Sequence, residues 1–205
     1  MRALVLVDLQ YDFLPGGALA VAHGDEVVPI ACKLMPRFDI VVATQDWHPQ
    51  NHQSFAANNP GKQVGEMSEL GGLPQVMWPV HCVQGSRGAE LHDSLERSRI
   101  TAVFRKGIDP GVDSYSGFYD NGHTKATGLA DWLHQKKVGR LYVLGLATDY
   151  CVKFTVLDGL DLGFEVWLIE DGCRAVDLSP GDGDRAVAEM RAKGATVITS
   201  GEISS

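Results

Sequence analysis

The 205-residue chain contains no CxxC pair, no run approaching 20 apolar residues, no internal repeat and no low-complexity tract. Each absence narrows the reading. Its four cysteines, Cys32, Cys82, Cys151 and Cys173, fall at irregular spacings, so no disulfide framework is expected and a reducing cytoplasm is the expected compartment. The apolar opening "MRALVLVDLQ" stops at Asp8, too short for a signal peptide, and no membrane span is expected further on. Basic charge is in deficit: 18 Lys and Arg against 26 Asp and Glu leave a net charge of −8, which argues against general binding to nucleic acid or anionic membrane. With no linker in view, one domain over residues 1–205 is expected. A chain of this length buries roughly 70% of its unfolded surface without staples.

Six short apolar, β-branched runs are present: residues 3–8, 39–46, 100–107, 140–147, 165–171 and 195–200. They are nearly continuous in apolar residues and do not alternate, the pattern of strands buried on both faces of a parallel sheet. Helical stripes lie between them: Val27, Ile30, Ala31 and Leu34; Leu129, Trp132 and Leu133; Val152, Val156 and Leu160; and Ala186, Val187 and Met190. This alternation predicts an α/β three-layer sandwich with a mostly parallel central sheet. Residues 47–95 break the pattern. They are rich in Gly, Pro, Asn, His and Ser, and an aperiodic stretch this long inside a domain points to function.

Ligands of such folds bind beyond the carboxyl ends of the strands. Asp8, Asp46 with His48, and Lys106 stand at three of those ends, and Cys151 follows a fourth, where a helix should begin. Taken alone, Cys151 reads as a small core residue, Asp8 as a cap and Lys106 as a solvated cation. Together they read as a nucleophile constellation. A helix start and a nearby lysine favour a thiolate, and Asp8 can take the proton. No histidine lies at a strand end near Cys151, so an Asp–Lys–Cys triad fits better than a Cys–His pair. Asp46 and His48, spaced i and i+2, share one face of an extended segment. His81, in "WPVHC", would complete a two-His, one-carboxylate metal site with open positions, though it also reads as a hydrogen-bonded core histidine. His52 and Ser54 lie close by. Cys82 reads as packing. Phe13, Trp78, Tyr115 and Phe118 flank these motifs as core or as walls for a flat aromatic substrate.

"LVLVDLQYDFLPGGALAV", "TQDWHPQNHQSFA", "MWPVHCVQGSRGAELH", "FRKGIDPGVDSYSGF" and "VLGLATDYCVKF" resemble, in order and over about residues 3–176, the nicotinamidase/pyrazinamidase branch of the isochorismatase-like hydrolases. The resemblance implies Cys151 as nucleophile, Asp8 as general base and then acid, and Lys106 as third member. It implies backbone N–H groups of Ala147 and Cys151 as an oxyanion hole, and a cis peptide at Leu146–Ala147. It further implies one divalent ion on Asp46, His48 and His81, zinc first, with iron or manganese also suited, and Phe13, Trp78 and Tyr115 as pocket walls. Some members carry a further histidine ligand six positions after the first. That position is Ser54 here, so Ser54, His52 or water completes the shell. The implied reaction converts nicotinamide, or pyrazinamide, to its acid and ammonia through a Cys thioester, in NAD salvage. A sibling hydrolase with a non-pyridine amide is the alternative. A non-haem iron oxygenase or a non-catalytic metal-binding protein would leave the triad unused. Oligomeric state is not legible.

Overall fold

The central sheet is built in two directions from its middle. In a computed structural model, which describes residues 1–203, β1 (Arg2–Val7), β2 (Ile40–Asp46), β5 (Ala102–Lys106), β6 (Arg140–Leu146), β7 (Glu165–Arg174) and β8 (Thr196–Ile198) pair in the order β5-β2-β1-β6-β7-β8. Every pairing in it is parallel. All six runs read from the sequence are strands. From β1 the chain adds β2 and β5 on one side, then returns to add β6, β7 and β8 on the other. The switch in direction falls between β1 and β6, where crossovers diverge and leave a crevice.

Burial explains the apolar runs. Ala3, Leu4, Val5, Leu6 and Val7 of β1 are fully buried, as are Val42, Ala43 and Thr44 of β2 and Leu141, Val143 and Leu144 of β6. The helices are α1 (Val27–Leu34), α2 (Leu129–Gln135), α3 (Lys153–Asp161) and α4 (Asp182–Ala192). Helix α1 packs on β6 and β7, and α3 packs on β7 and α4. Their buried residues include Val27, Ala31 and Leu34 in α1, Leu129 and Leu133 in α2, and Ala186, Val187 and Met190 in α4, the stripes expected from a 3.6-residue period. Among the described residues no helix is long and apolar enough to cross a membrane.

The irregular segment is ordered by short backbone pairings. His48 N–H donates to the Cys82 carbonyl at 3.0 Å, and Gln84 N–H donates back to the His48 carbonyl at 2.9 Å. Trp78 N–H bonds the Ser54 carbonyl at 2.8 Å, and Ala56 N–H the Trp78 carbonyl at 2.9 Å. Between these pairings lies an antiparallel hairpin, β3 (Met67–Leu70) and β4 (Leu73–Val76), which no periodicity predicted. The pairings bring His48 and His81 side by side although 33 positions separate them in the chain.

Two glycines set close approaches. Gly145, in β6, has φ +136°, and a Cβ there would lie 2.1 Å from the Val7 carbonyl oxygen. Only glycine lets β6 press that closely on the end of β1. Gly107, with φ +64°, leaves room for the His48 ring, since a Cβ would fall 2.3 Å from its Cε1.

Candidate active site

Asp8 stands one residue beyond β1, in the left-handed region at φ +50°, which Asp tolerates better than most residues. The Thr44 hydroxyl donates to its Oδ1 at 2.6 Å, and its own N–H returns to Thr44 Oγ1 at 3.2 Å. Its Oδ2 lies 2.9 Å from Lys106 Nζ but off hydrogen-bond geometry, and this oxygen has no hydrogen-bond partner among the described residues. Lys106 is the last residue of β5 and pairs in register with Asp46, the last of β2. Its ammonium donates to Asp46 Oδ1 at 2.5 Å, to the Ser114 carbonyl at 2.9 Å and to Cys151 Sγ at 3.2 Å. Cys151 lies in a π-helical turn, Thr148–Val152, that leads from β6 into α3. The peptide Leu146–Ala147 ahead of it is cis.

These groups are all buried, so burial is the first force on each proton. Burial pushes the Cys151 thiol well above its ordinary range, and Lys106 only partly offsets this. Asp8 and Asp46 push the same way, so the surroundings favour the thiol over the thiolate. Burial also raises Asp8, against the pull of Lys106. For Lys106 burial favours the neutral amine, but Asp46 and Asp8 prevail and keep it cationic. For Asp46 burial is overcome by Lys106 and then His48, which hold it far below the usual carboxylate range.

The second cluster faces the first across Asp46. His48 Nε2 and His81 Nε2 lie 3.5 and 3.8 Å from Asp46 Oδ2. Each ring's Nδ1 bonds a carbonyl at 2.8 Å, Gly107 for His48 and Pro79 for His81. A carbonyl accepts only, so both rings carry hydrogen on Nδ1 and turn an Nε2 lone pair toward Asp46. Burial, then the neighbouring His48, lowers His81 to about 4, which keeps its ring neutral and able to offer a lone pair. Burial disfavours the charged form of His48 too, but Asp46 raises it, so a proton and a metal ion compete for this nitrogen. One atom each of Asp46, His48 and His81 lies within 4.8 Å of the others. Two imidazoles, one carboxylate and open positions suit a divalent ion. Ser54 is turned away from this role: its hydroxyl and N–H meet His52 Nδ1 at 2.7 and 3.2 Å.

Between the clusters lies a narrow pocket lined by Phe13, Trp78, Tyr115, Tyr150, Ala147, Cys151 and the Asp46, His48, His81 set. A larger groove over Gln45, Arg97, Phe104 and Arg105 is open to solvent and has neither a nucleophile nor a metal-donor set in its lining. The structure thus brings together all nine side chains expected at the site. Phe118 is not among them; it is buried in the core, stacked on Phe164. Several site residues went unread. Gln10 clamps the Asp46 peptide, donating to its carbonyl and accepting from its N–H, both at 2.8 Å. Tyr150 completes an aromatic wall with Trp78 and Tyr115. Gln75 and Asp113 are buried behind Tyr115. Gln10 had a signal, a polar residue two beyond Asp8; Gln75 and Asp113 sit in aperiodic sequence and had none.

A cysteine thiol, a carboxylate and an ammonium gathered at the switch point of a parallel sheet are the groups a hydrolase needs for acyl transfer. The chain belongs to the isochorismatase domain family, whose model matches residues 2–202. It is 54% identical to the nicotinamidase of Escherichia coli (strain K12) over 202 residues, 97% of this chain and 94% of that protein. The Acinetobacter baumanii nicotinamidase pyrazinamidase superposes with a TM-score of 0.95 at 45% identity, over 98% of this chain and 97% of that one. The pyrazinamidase of Pyrococcus horikoshii, solved in complex with zinc, superposes with a TM-score of 0.79 at 37% identity, over 97% of this chain and 98% of that one.

Proposed function

We propose that this chain is a single-domain amidohydrolase that converts nicotinamide to nicotinate and ammonia, and accepts pyrazinamide, in NAD salvage. The observation that carries the reading is the position of Cys151: its sulfur accepts from Lys106 at 3.2 Å and lines an aromatic pocket that Asp46, His48 and His81 also line. A flat pyridine carboxamide fits between them, with its amide carbon at Cys151.

Asp8 takes the thiol proton on Oδ2 as Sγ attacks the amide carbon. Burial raises the pKa of Asp8 against the pull of Lys106, which suits this carboxylate to hold a proton. Lys106 stays charged and steadies the developing thiolate. The N–H groups of Ala147 and Cys151 donate to the oxyanion, a donor pair worth roughly 3 kcal/mol per bond in comparable sites. Asp8 then protonates the leaving ammonia. A thioester remains; Asp8 draws the proton from the attacking water, the C–S bond breaks as the acid is released, and Asp8 returns the proton to the Cys151 sulfur. Asp46, His48 and His81 would hold one divalent ion, zinc by preference, which when bound supplies a Lewis-acid anchor for a ring nitrogen. Free cysteines throughout the chain fit a reducing cytoplasm.

The test is ammonia and nicotinate release from nicotinamide by the purified metal-loaded protein, with Cys151→Ala as control. Turnover by the first and none by the second is expected. No turnover of nicotinamide, with turnover of a non-pyridine amide, would transfer the reading to a sibling amidase.

A further inference from the structure

A second donor set shares one corner with the first. One atom each of His48, His52 and Asp113 lies within 4.8 Å of the others, and all three side chains are buried. His52 is fully buried and its tautomer is fixed. Ser54 N–H donates to Nδ1, so the ring hydrogen sits on Nε2. That Nε2 makes no hydrogen bond of good geometry among the described residues, although the Val112 backbone lies close enough to favour the ring's charged form. Asp113 is oriented by two donors, Ser114 N–H to Oδ1 at 2.8 Å and Gln75 Nε2 to Oδ2 at 3.0 Å. It lines the pocket and forms no ion pair among the described residues.

A buried donor with no acceptor and a buried carboxylate with no cation are each costly alone. No hydrogen bond joins the two, and ligand atoms of both lie within 4.8 Å, a span that one water can bridge. Charge points the same way. Asp8 and Asp46 share the Lys106 ammonium, while Asp113 has none. Three carboxylates against one ammonium leave two negative charges beside the Asp46, His48, His81 set, the charge of one divalent cation.

We infer that His52 and Asp113 jointly hold a water on the open side of the ion bound by Asp46, His48 and His81, and so set the affinity of that ion without touching it. The water accepts from His52 Nε2–H, donates to Asp113, turns its second lone pair to the ion and keeps one hydrogen for the pocket. Ser54 acts one step further out, by holding His52 in the tautomer that donates.

This rests on the metal reading of the site and is tested by affinity, not turnover. Metal is stripped from the full-length protein, and the dissociation constants of Zn²⁺ and Co²⁺ are measured by competition with a chromophoric chelator. Asp113→Asn and His52→Gln should each weaken binding about 10- to 100-fold, the scale for groups that orient a metal's shell. The double variant should be no weaker than the worse single variant, because both changes release the same water. The cobalt visible spectrum of His52→Gln should keep the wild-type band pattern, which His48→Ala should lose. Thermal melting of the metal-free proteins checks folding, and Asp113→Asn should melt no lower than wild type because it removes an uncompensated charge. If Asp113→Asn fails to fold, the affinity and cobalt spectrum of His52→Gln still decide. Unchanged affinity in either variant, multiplicative losses in the double, or loss of the cobalt bands in His52→Gln would each overturn the inference. Failure of the wild-type protein to bind either ion would instead remove the metal reading beneath it.

Discussion

Asp8 and Asp46 close adjacent strands, are both buried and flank one ammonium, yet their protons are driven in opposite directions. Burial raises Asp8, while Lys106 and His48 carry Asp46 far the other way. The difference lies in what else each carboxylate faces. Asp8 has a threonine hydroxyl and a neutral thiol nearby; Asp46 has two imidazoles besides its 2.5 Å bond to Lys106. One fold thus makes a carboxylate that can carry a proton and a carboxylate that stays an anion, about one strand spacing apart. The half beyond β1 and β6 is suited to proton and acyl transfer. The half beyond β2 is suited to holding a cation.

Substitutions should separate the halves. Cys151→Ala and Asp8→Asn should each lower kcat/KM by about 10⁴-fold or more while metal content stays near one ion per chain. Loss of metal in either variant would show that the halves are one unit. His81→Ala and Asp46→Asn should do the reverse, emptying the site in elemental analysis while Cys151 still reacts with iodoacetamide. Full occupancy in both would remove Asp46 and His81 from the ligand set.

Lys106 joins the halves and should show it in stability. Lys106→Met leaves Asp8 and Asp46 buried without their cation and should cost about 3–5 kcal/mol at neutral pH, measured by denaturant unfolding. Both carboxyls in that variant should titrate above their unfolded values. Their contribution is then greatest at low pH and is lost as pH rises, so the deficit should shrink on acidification. A deficit independent of pH between 7 and 5 would mean that Lys106 contributes packing, not charge. The smallest effect concerns the ring. Benzamide, which has the amide without the nitrogen, should be poorer than nicotinamide by about 100-fold in kcat/KM, and the ratio should narrow after metal is stripped. Equal rates in the loaded enzyme would mean that the metal half does not read the substrate.

Much of this was legible in the chain. Continuous apolar runs such as "ALVLVD" announce a strand buried on both faces, and a charged residue at the end of such a run announces an edge where chemistry is possible. Asp8, Asp46, Lys106 and Cys151 were found that way, and His48 and His81 through donor type. Gln75 and Asp113 were not, because a buried polar residue in aperiodic sequence looks like any loop residue. Phe118 stood beside the right motif and packs in the core.

The sequence by itself determined the strands, the helical stripes and which residue types stand at the strand ends, because periodicity and burial are local properties of the chain. Tertiary structure decided the rest. Parallel order placed the ends of β1 and β6 at the switch point, and Gly145 let them close together. The pairing of residues 48–56 with 76–84 brought His81 to Asp46. Above all, burial decided the charges: the Cys151 thiol is pushed up because desolvation outweighs the lysine, a balance set by neighbours distant in sequence.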